Sequence, residues 1–207
     1  MPITLKPQGI LIILSSPSGG GKSSICRALL GADPRLGYSV SVTSRSRRTH
    51  EEDGRDYYFV SEEEFHKQIA ADRFYEWARV HGNFYGTRRD LVDEKLNSGK
   101  DVVLDLDVQG GLNIKKQNDR AVLVFVLPPS LKILAERLRG RNTDEEEVIQ
   151  HRLRNAKLEI NFAQKYDYVV VNEDLDHTIA VIRKIIDAER HSSLHQTVMI
   201  TGEDAQS

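Results

Sequence analysis

The chain of 207 residues has one cysteine, no long apolar run and almost no net charge, with 29 Lys and Arg against 31 Asp and Glu. A lone cysteine, Cys26, cannot close an internal disulfide, which fits a reducing compartment. No His stands near it in sequence, so its expected role is a small buried side chain rather than a catalytic thiol. The longest apolar runs, 10–14 and 121–127, fall far short of the roughly 20 residues a spanning helix needs. The start, MPITLKPQ, is neither a signal-type apolar stretch nor an Arg-rich amphipathic helix. A cytoplasmic protein without membrane association is expected. A formal net charge of −2 argues against a broadly basic nucleic-acid binder, so any affinity for phosphate must come from local clusters. The seven His residues lack metal-ligand spacing, and no structural zinc is expected. Internal repeats and low-complexity segments are also missing.

What is present is an alternation of short apolar runs with amphipathic stretches, the pattern of βαβ units and a parallel sheet. Strands are expected over 9–15, 38–42, 74–80, 83–85, 101–106, 121–127 and 168–171. Helices are expected over 22–30, 61–71, 88–97, 130–139, 143–162 and 175–191. Ser61 with Glu64, and Thr143 with Glu146, have the spacing of helix-opening caps. The tail from Ser192 is polar and is expected to fray. Between 38 and 87 the alternation breaks into short strands rich in aromatics and Arg, which marks an inserted lobe.

The first strand runs into Ser16-Pro17-Ser18-Gly19-Gly20-Gly21-Lys22-Ser23-Ser24 and then a helix. This is the phosphate-loop pattern G-x-x-x-x-G-K-[ST] with Ser16 in place of the first Gly. Successive backbone N–H groups must turn inward around phosphate oxygens, and a Cβ would block that. The helix N-terminus adds its dipole. Lys22 would reach the β- and γ-phosphates, and Ser23 would offer its hydroxyl to Mg²⁺. Asp105 ends an apolar strand as an acid holding Mg²⁺ through water would. The plainer readings are a flexible glycine turn and a turn acid. The loop implies a nucleoside triphosphate and leaves the second substrate unnamed.

A second motif bears on that substrate. The run Thr43-Ser44-Arg45-Ser46-Arg47-Arg48-Thr49-His50-Glu51-Glu52-Asp53-Gly54-Arg55-Asp56-Tyr57-Tyr58-Phe59 resembles the guanylate kinase signature, T-[ST]-R-x-x-[KR]-x-x-[DE]-x-x-G-x-x-Y-x-[FY], at every specified position. The resemblance extends from the phosphate loop to about 191. It implies an α/β fold of the P-loop NTPase type: a parallel core flanked by helices, an inserted mixed α/β lobe for GMP and a small helical lid. The expected division is 1–37, 88–136 and 160–207 for the core, 38–87 for the lobe and 137–159 for the lid.

The implied activity is transfer of the γ-phosphoryl group of ATP to GMP, and to dGMP, with Mg²⁺. Arg45 and Arg48 would clamp the GMP phosphate, since two guanidiniums grip a dianion bidentately. Glu51, Tyr57 and Tyr85 belong to the same acceptor set. Glu76 would read guanine, because one carboxylate can accept from both N1–H and the exocyclic amine, whereas adenine would leave it unpaired. Such a site discriminates by about 10⁴ or more. Ser41, Thr87 and Asp107 complete the base set. Arg137, Arg141 and Arg152 match the lid arginines of the family, Gly140 suits a hinge, and Asn172 resembles a residue near the adenine. Arg139 and Arg154 are expected to be surface charges. Arg47 and His50 stand where relatives often carry Pro and Gly.

Each residue also has a bland reading, as a solvated basic turn, a core tyrosine or a surface acid. Two other functions stay open: a guanylate-kinase-like binding module without catalysis, and a kinase for another phosphorylated small molecule. Oligomeric state is also open, a homodimer included.

Overall fold

The computed structural model describes residues 2–80, 82–140 and 145–200. Its centre is an all-parallel sheet in the order β10-β9-β2-β8-β3. The strands are β2 (Leu11–Ser15), β3 (Leu36–Tyr38), β8 (Asp101–Asp105), β9 (Val122–Leu127) and β10 (Tyr168–Val171). Residues of β2 and β9 are buried almost throughout, so they read as unbroken apolar runs, as central parallel strands do.

Successive side chains on a strand point to opposite faces, and two cores follow from that. Ile10, Ile12 and Leu14 pack with Ile25 and Leu29 of α1 (Lys22–Ala32) and with Ile182 and Ile186 of α7 (Leu175–Glu189). Leu11 and Ile13 pack on the other side with Val92 of α3 (Arg89–Asn97) and Val108 and Ile114 of α4 (Val108–Gln117). Burial of one such side chain contributes about 1.5–3 kcal/mol.

A second sheet, in the order β5-β4-β7-β6, comprises β4 (Val42–Thr43), β5 (Tyr58–Phe59), β6 (Phe74–Val80) and β7 (Asn83–Arg88). With α2 (Glu62–Ala70) it has its own core of Val42, Phe65, Phe74 and Phe84. The rings of Phe65 and Phe74 stack at 4.6 Å. Ser61 caps α2 by accepting from the Glu64 N–H at 3.1 Å, as its sequence spacing predicts. Helices α5 (Leu131–Arg139) and α6 (Glu146–Ile160) form a third cluster through Leu134, Leu138, Ile149 and Ala156.

Several elements differ from expectation. The single strand expected over 38–42 is two strands, because the chain leaves the core sheet after Tyr38 and joins the lobe sheet at Val42. Helix α4 was not expected; it contains Gly110 and Gly111, and glycine is a poor helix former. A Cβ on Gly111 would lie 3.0 Å from both Ser15 Oγ and Tyr166 Oη, so close packing onto the sheet requires glycine there. The tail expected to fray from Ser192 instead forms β11 (Gln196–Ile200), antiparallel to β1 (Ile3–Pro7). His195, 2% exposed, anchors that ribbon: its Nε2 lies 3.0 Å from Arg120 O, and its own carbonyl accepts from Gln8 N–H. Thr143, the expected cap of α6, lies outside the described residues. Among the described residues, no helix is long and apolar enough to cross a membrane.

Candidate active site

The loop between β2 and α1 wraps a cavity of about 280 Å³. Its wall contains every residue from Ser16 to Ser24, with Asp107 and Glu159. Gly19 and Gly21 have φ of 91° and 95°, a region open to glycine at little cost. A Cβ on Gly21 would also lie 2.5 Å from Asn172 Nδ2. Ser16, the departure from the motif, has no positive φ, so glycine is not demanded there. Its Oγ donates to Pro17 O at 3.1 Å.

Lys22 Nζ donates to Leu106 O at 2.7 Å. Burial lowers its pKa, opposed by Asp105, Asp107 and Glu159. Ser23 Oγ donates to Asp105 Oδ2 at 3.0 Å, and Tyr38 Oη donates to Asp105 Oδ1 at 3.2 Å. The hydroxyl and carboxylate expected at the metal therefore meet. Cys26 is buried and its thiol is pushed up to about 12 by desolvation, which rules out a thiolate nucleophile.

The signature run forms a preset arginine turn. Arg45 Nη2 donates to Glu51 Oε1 at 2.6 Å, and the other Glu51 oxygen accepts from the Arg48 backbone N–H at 2.9 Å. These two bonds, Arg45 first, hold the Glu51 carboxyl down at about 2. Arg45 also lies 5.5 Å from the Tyr57 ring centroid. Tyr57 and Tyr85 meet edge to face at 5.9 Å.

A second cavity, of about 250 Å³, is lined by Ser41, Tyr57, Glu76, Tyr85 and Asp107 with Tyr38, Asp56 and Asp105. Thr87 is 1% exposed and donates to Glu76 Oε1 at 2.7 Å. Burial raises the pKa of Glu76; the Thr87 hydroxyl bond opposes this and nearby Asp107 adds to it. A register shift between Phe74 and Glu76 aims Tyr75 into the core and Glu76 into the cavity, a frequent use of bulges beside sites. Asp107 caps α4, its Oδ1 accepting from Gly110 N–H at 2.7 Å. It lines both cavities, so one carboxylate is a shared wall.

The remaining candidates are placed as follows. Arg137 Nη2 donates to Asn172 O at 3.0 Å. Its Nη1 is buried with no hydrogen-bond partner among the described residues. Asn172, 4% exposed, stands behind the phosphate loop and not in the cavity wall: its Nδ2 donates to Gly20 O at 2.9 Å and its Oδ1 accepts from Thr178. Arg152 is half-buried on α6. Arg141 lies outside the described residues. Arg139 pairs with Glu146 at the surface at 2.6 Å.

Glu159, Tyr38 and Asp56 were not singled out by sequence reasoning. Nothing in their local sequence marks them. Tyr38 and Glu159 reach the site only through the crossover of β3 to β8 and the return of α6 over the phosphate loop.

A family model described as guanylate kinase matches residues 8–189. The chain belongs to the guanylate kinase family. It is 45% identical over 188 residues to a guanylate kinase of Caldanaerobacter subterraneus subsp. tengcongensis, covering 91% of each chain. It is 50% identical over 189 residues to one from Paramagnetospirillum magneticum, covering 90% of this chain and 88% of that one. A crystal structure of guanylate kinase from Anaplasma phagocytophilum superposes with a TM-score of 0.74 at 35% identity, over 94% and 93% of the two chains. Guanylate kinase membership agrees with the P-loop fold expected from sequence.

Proposed function

We propose that the protein transfers the γ-phosphoryl group of ATP to the phosphate of GMP, giving ADP and GDP, and that dGMP is also accepted. The observation that carries this reading is the shared wall at Asp107. On one side stands a backbone nest with Lys22, and on the other a buried carboxylate held by Thr87. One molecule can therefore hold a triphosphate and a purine monophosphate on the two sides of a single residue.

Each residue has a physical role in the reaction. The Gly19–Gly21 backbone and Lys22 take the donor phosphates. Arg137, with an unpaired guanidinium nitrogen, adds charge as transfer proceeds, and Arg141 and Arg152 belong with it. Glu51 fixes Arg45 and the Arg48 backbone so that the arginine turn meets the acceptor phosphate already oriented. Tyr57 and Tyr85 close its side. Glu76 accepts from guanine N1–H and the exocyclic amine, with Ser41, Thr87 and Asp107 around it. A buried carboxylate left without donors is costly, and guanine offers it two N–H groups on that edge where adenine offers none. The acceptor phosphate is nucleophilic at neutral pH, so alignment and charge neutralisation carry the chemistry.

The hard oxygens of Ser23 and Asp105, 3.0 Å apart, suit Mg²⁺, which takes few protein ligands and keeps water. When bound, Mg²⁺ would neutralise charge on the donor phosphates. Asn172 buttresses the Gly20 carbonyl. We assign 1–37, 88–136 and 160–207 to the core, 38–87 to the acceptor lobe and 137–159 to the lid, and place the protein in the cytoplasm.

A coupled assay of ADP release with GMP or AMP as acceptor tests the reading. GMP should turn over rapidly and AMP slowly. Equal rates, or none with GMP, reject it.

A further inference from the structure

Besides Asp107, a second carboxylate lines a cavity built for anions. The backbone nest, Lys22 and the N-terminus of α1 all favour negative charge. The side chain of Glu159, from α6, nevertheless forms part of the wall of that cavity. Its Oε2 is buried and has no hydrogen-bond partner among the described residues. We propose that Glu159 is a positioning residue that borders the phosphate cradle while no donor is bound, and that donor phosphates displace it and so shift α6. The inference rests on the donor reading of the phosphate loop.

Three features support it. First, Glu159 is a poorly compensated anion at the cradle. Burial raises its pKa and nearby Asp107 adds to this; Lys22 and the Ser18 backbone N–H oppose the shift without cancelling it. A triphosphate needs the same donors, and like charges at such distances repel strongly in a half-buried site.

Second, α6 is lightly seated. Its buried residues are Ile149 and Ala156, and Leu158, next to Glu159, is 64% exposed. A cavity of about 220 Å³ lies between Val108 and Gln109 of α4 and Asn155 and Leu158 of α6. Glu159 lines that cavity as well, together with Asp107 and Phe162, so α6 has open space beside it into which it can shift.

Third, Arg152 is seven residues before Glu159 on the same helix. That is about two turns, so both side chains lie on one face. Donor phosphates would repel Glu159 and attract Arg152. One helix then converts donor arrival into movement of an arginine toward the reacting phosphates, and an empty cradle keeps that arginine back.

Calorimetry of ATP binding to the wild type and to Glu159→Gln, with GMP binding measured in parallel, tests the proposal. Removal of the competing charge should tighten ATP binding about three- to tenfold and leave GMP binding within about twofold. Weaker ATP binding would mean that Glu159 helps hold the donor, and would overturn the proposal. So would unchanged ATP binding, or a parallel loss for both nucleotides. A crystal structure of the unmutated protein with pyrophosphate gives a check independent of the variant. The Glu159 carboxyl should lie beyond hydrogen-bond reach of Ser18 N–H; a carboxyl still at the cradle beside bound pyrophosphate refutes displacement. Failure of the wild type to bind ATP at all would overturn this proposal and the kinase reading together, whereas equal affinities in the two proteins overturn this proposal alone.

Discussion

Glu76→Gln should convert a guanine-selective acceptor site into a weakly selective one. In the free protein, Glu76 Oε1 accepts from the Thr87 hydroxyl at 2.7 Å, leaving the rest of the carboxylate for the base. Guanine presents two adjacent N–H donors. Glutamine keeps one acceptor oxygen and replaces the other with an NH₂ donor. Whichever way the amide turns, at least one donor then faces another donor. The loss is one charge-assisted hydrogen bond, about 1.5–3 kcal/mol, which corresponds to about tenfold to a few hundredfold in kcat/KM for GMP. AMP makes no such bond, so its slow rate should hold or rise, and the GMP-to-AMP ratio should fall by a similar factor. The fold should not suffer. Burial raises the pKa of Glu76, so its charge is less favoured in the folded protein than in the unfolded chain. A group of this kind contributes most stability at low pH and loses it as pH rises through the raised pKa. The neutral amide should therefore leave the thermal midpoint at pH 7 unchanged or higher. Coupled assays with both acceptors and a thermal melt suffice. A GMP-to-AMP ratio within twofold of wild type, in a variant that melts normally, would refute the reasoning.

Other substitutions separate the two cavities. Lys22→Ala removes a cation from the donor nest and should lower kcat by at least about 10²–10³, with GMP affinity by calorimetry nearly unchanged. Asn172→Ala should raise KM for ATP and cost about 1–3 kcal/mol of stability in urea unfolding, because the Gly20 carbonyl and Thr178 lose a buried partner; GMP affinity should stay constant. Glu51 is held at about 2 from an ordinary 4.5, so its stabilising effect is complete above the ordinary value and is lost as pH falls from about 4.5 to about 2. Wild type should therefore lose more urea resistance than Glu51→Gln between pH 6 and pH 3. Parallel losses would show that the Arg45–Glu51 pair does not stabilise the turn.

The glycine loop was legible in sequence because its demands are local. A buried strand, a glycine run, Lys22 and a helix start adjoin one another, and the positive φ at Gly19 and Gly21 explains why glycine stands at both. The arginine turn was legible for the same reason, since Arg45, Arg48 and Glu51 bond within six residues. Glu76 and Thr87 were named through family resemblance, and their hydrogen bond depends on a cross-strand pairing that no local pattern displays.

What escaped reading is what depends on tertiary approach. Gly110 and Gly111 look like helix breakers until α4 is seen pressed onto Ser15 and Tyr166. The unexpected helix also explains Asp107, which serves as its cap while facing both cavities. The C-terminal strand is specified by a partner strand at the opposite end of the chain. Asn172 was expected near the adenine, and its hydrogen bonds to Gly20 and Thr178 join elements far apart in sequence. Glu159 is one acid among many on a polar helix until that helix lies over the phosphate loop.

The central claim is that donor and acceptor cavities face one another across Asp107. A bisubstrate compound with adenosine and guanosine joined by five phosphates measures this directly. Linking two ligands that bind at once should raise affinity by at least about 10²-fold over ADP or GMP alone, with competition against both. Competition against only one nucleotide, or affinity no better than the stronger single ligand, would contradict the account.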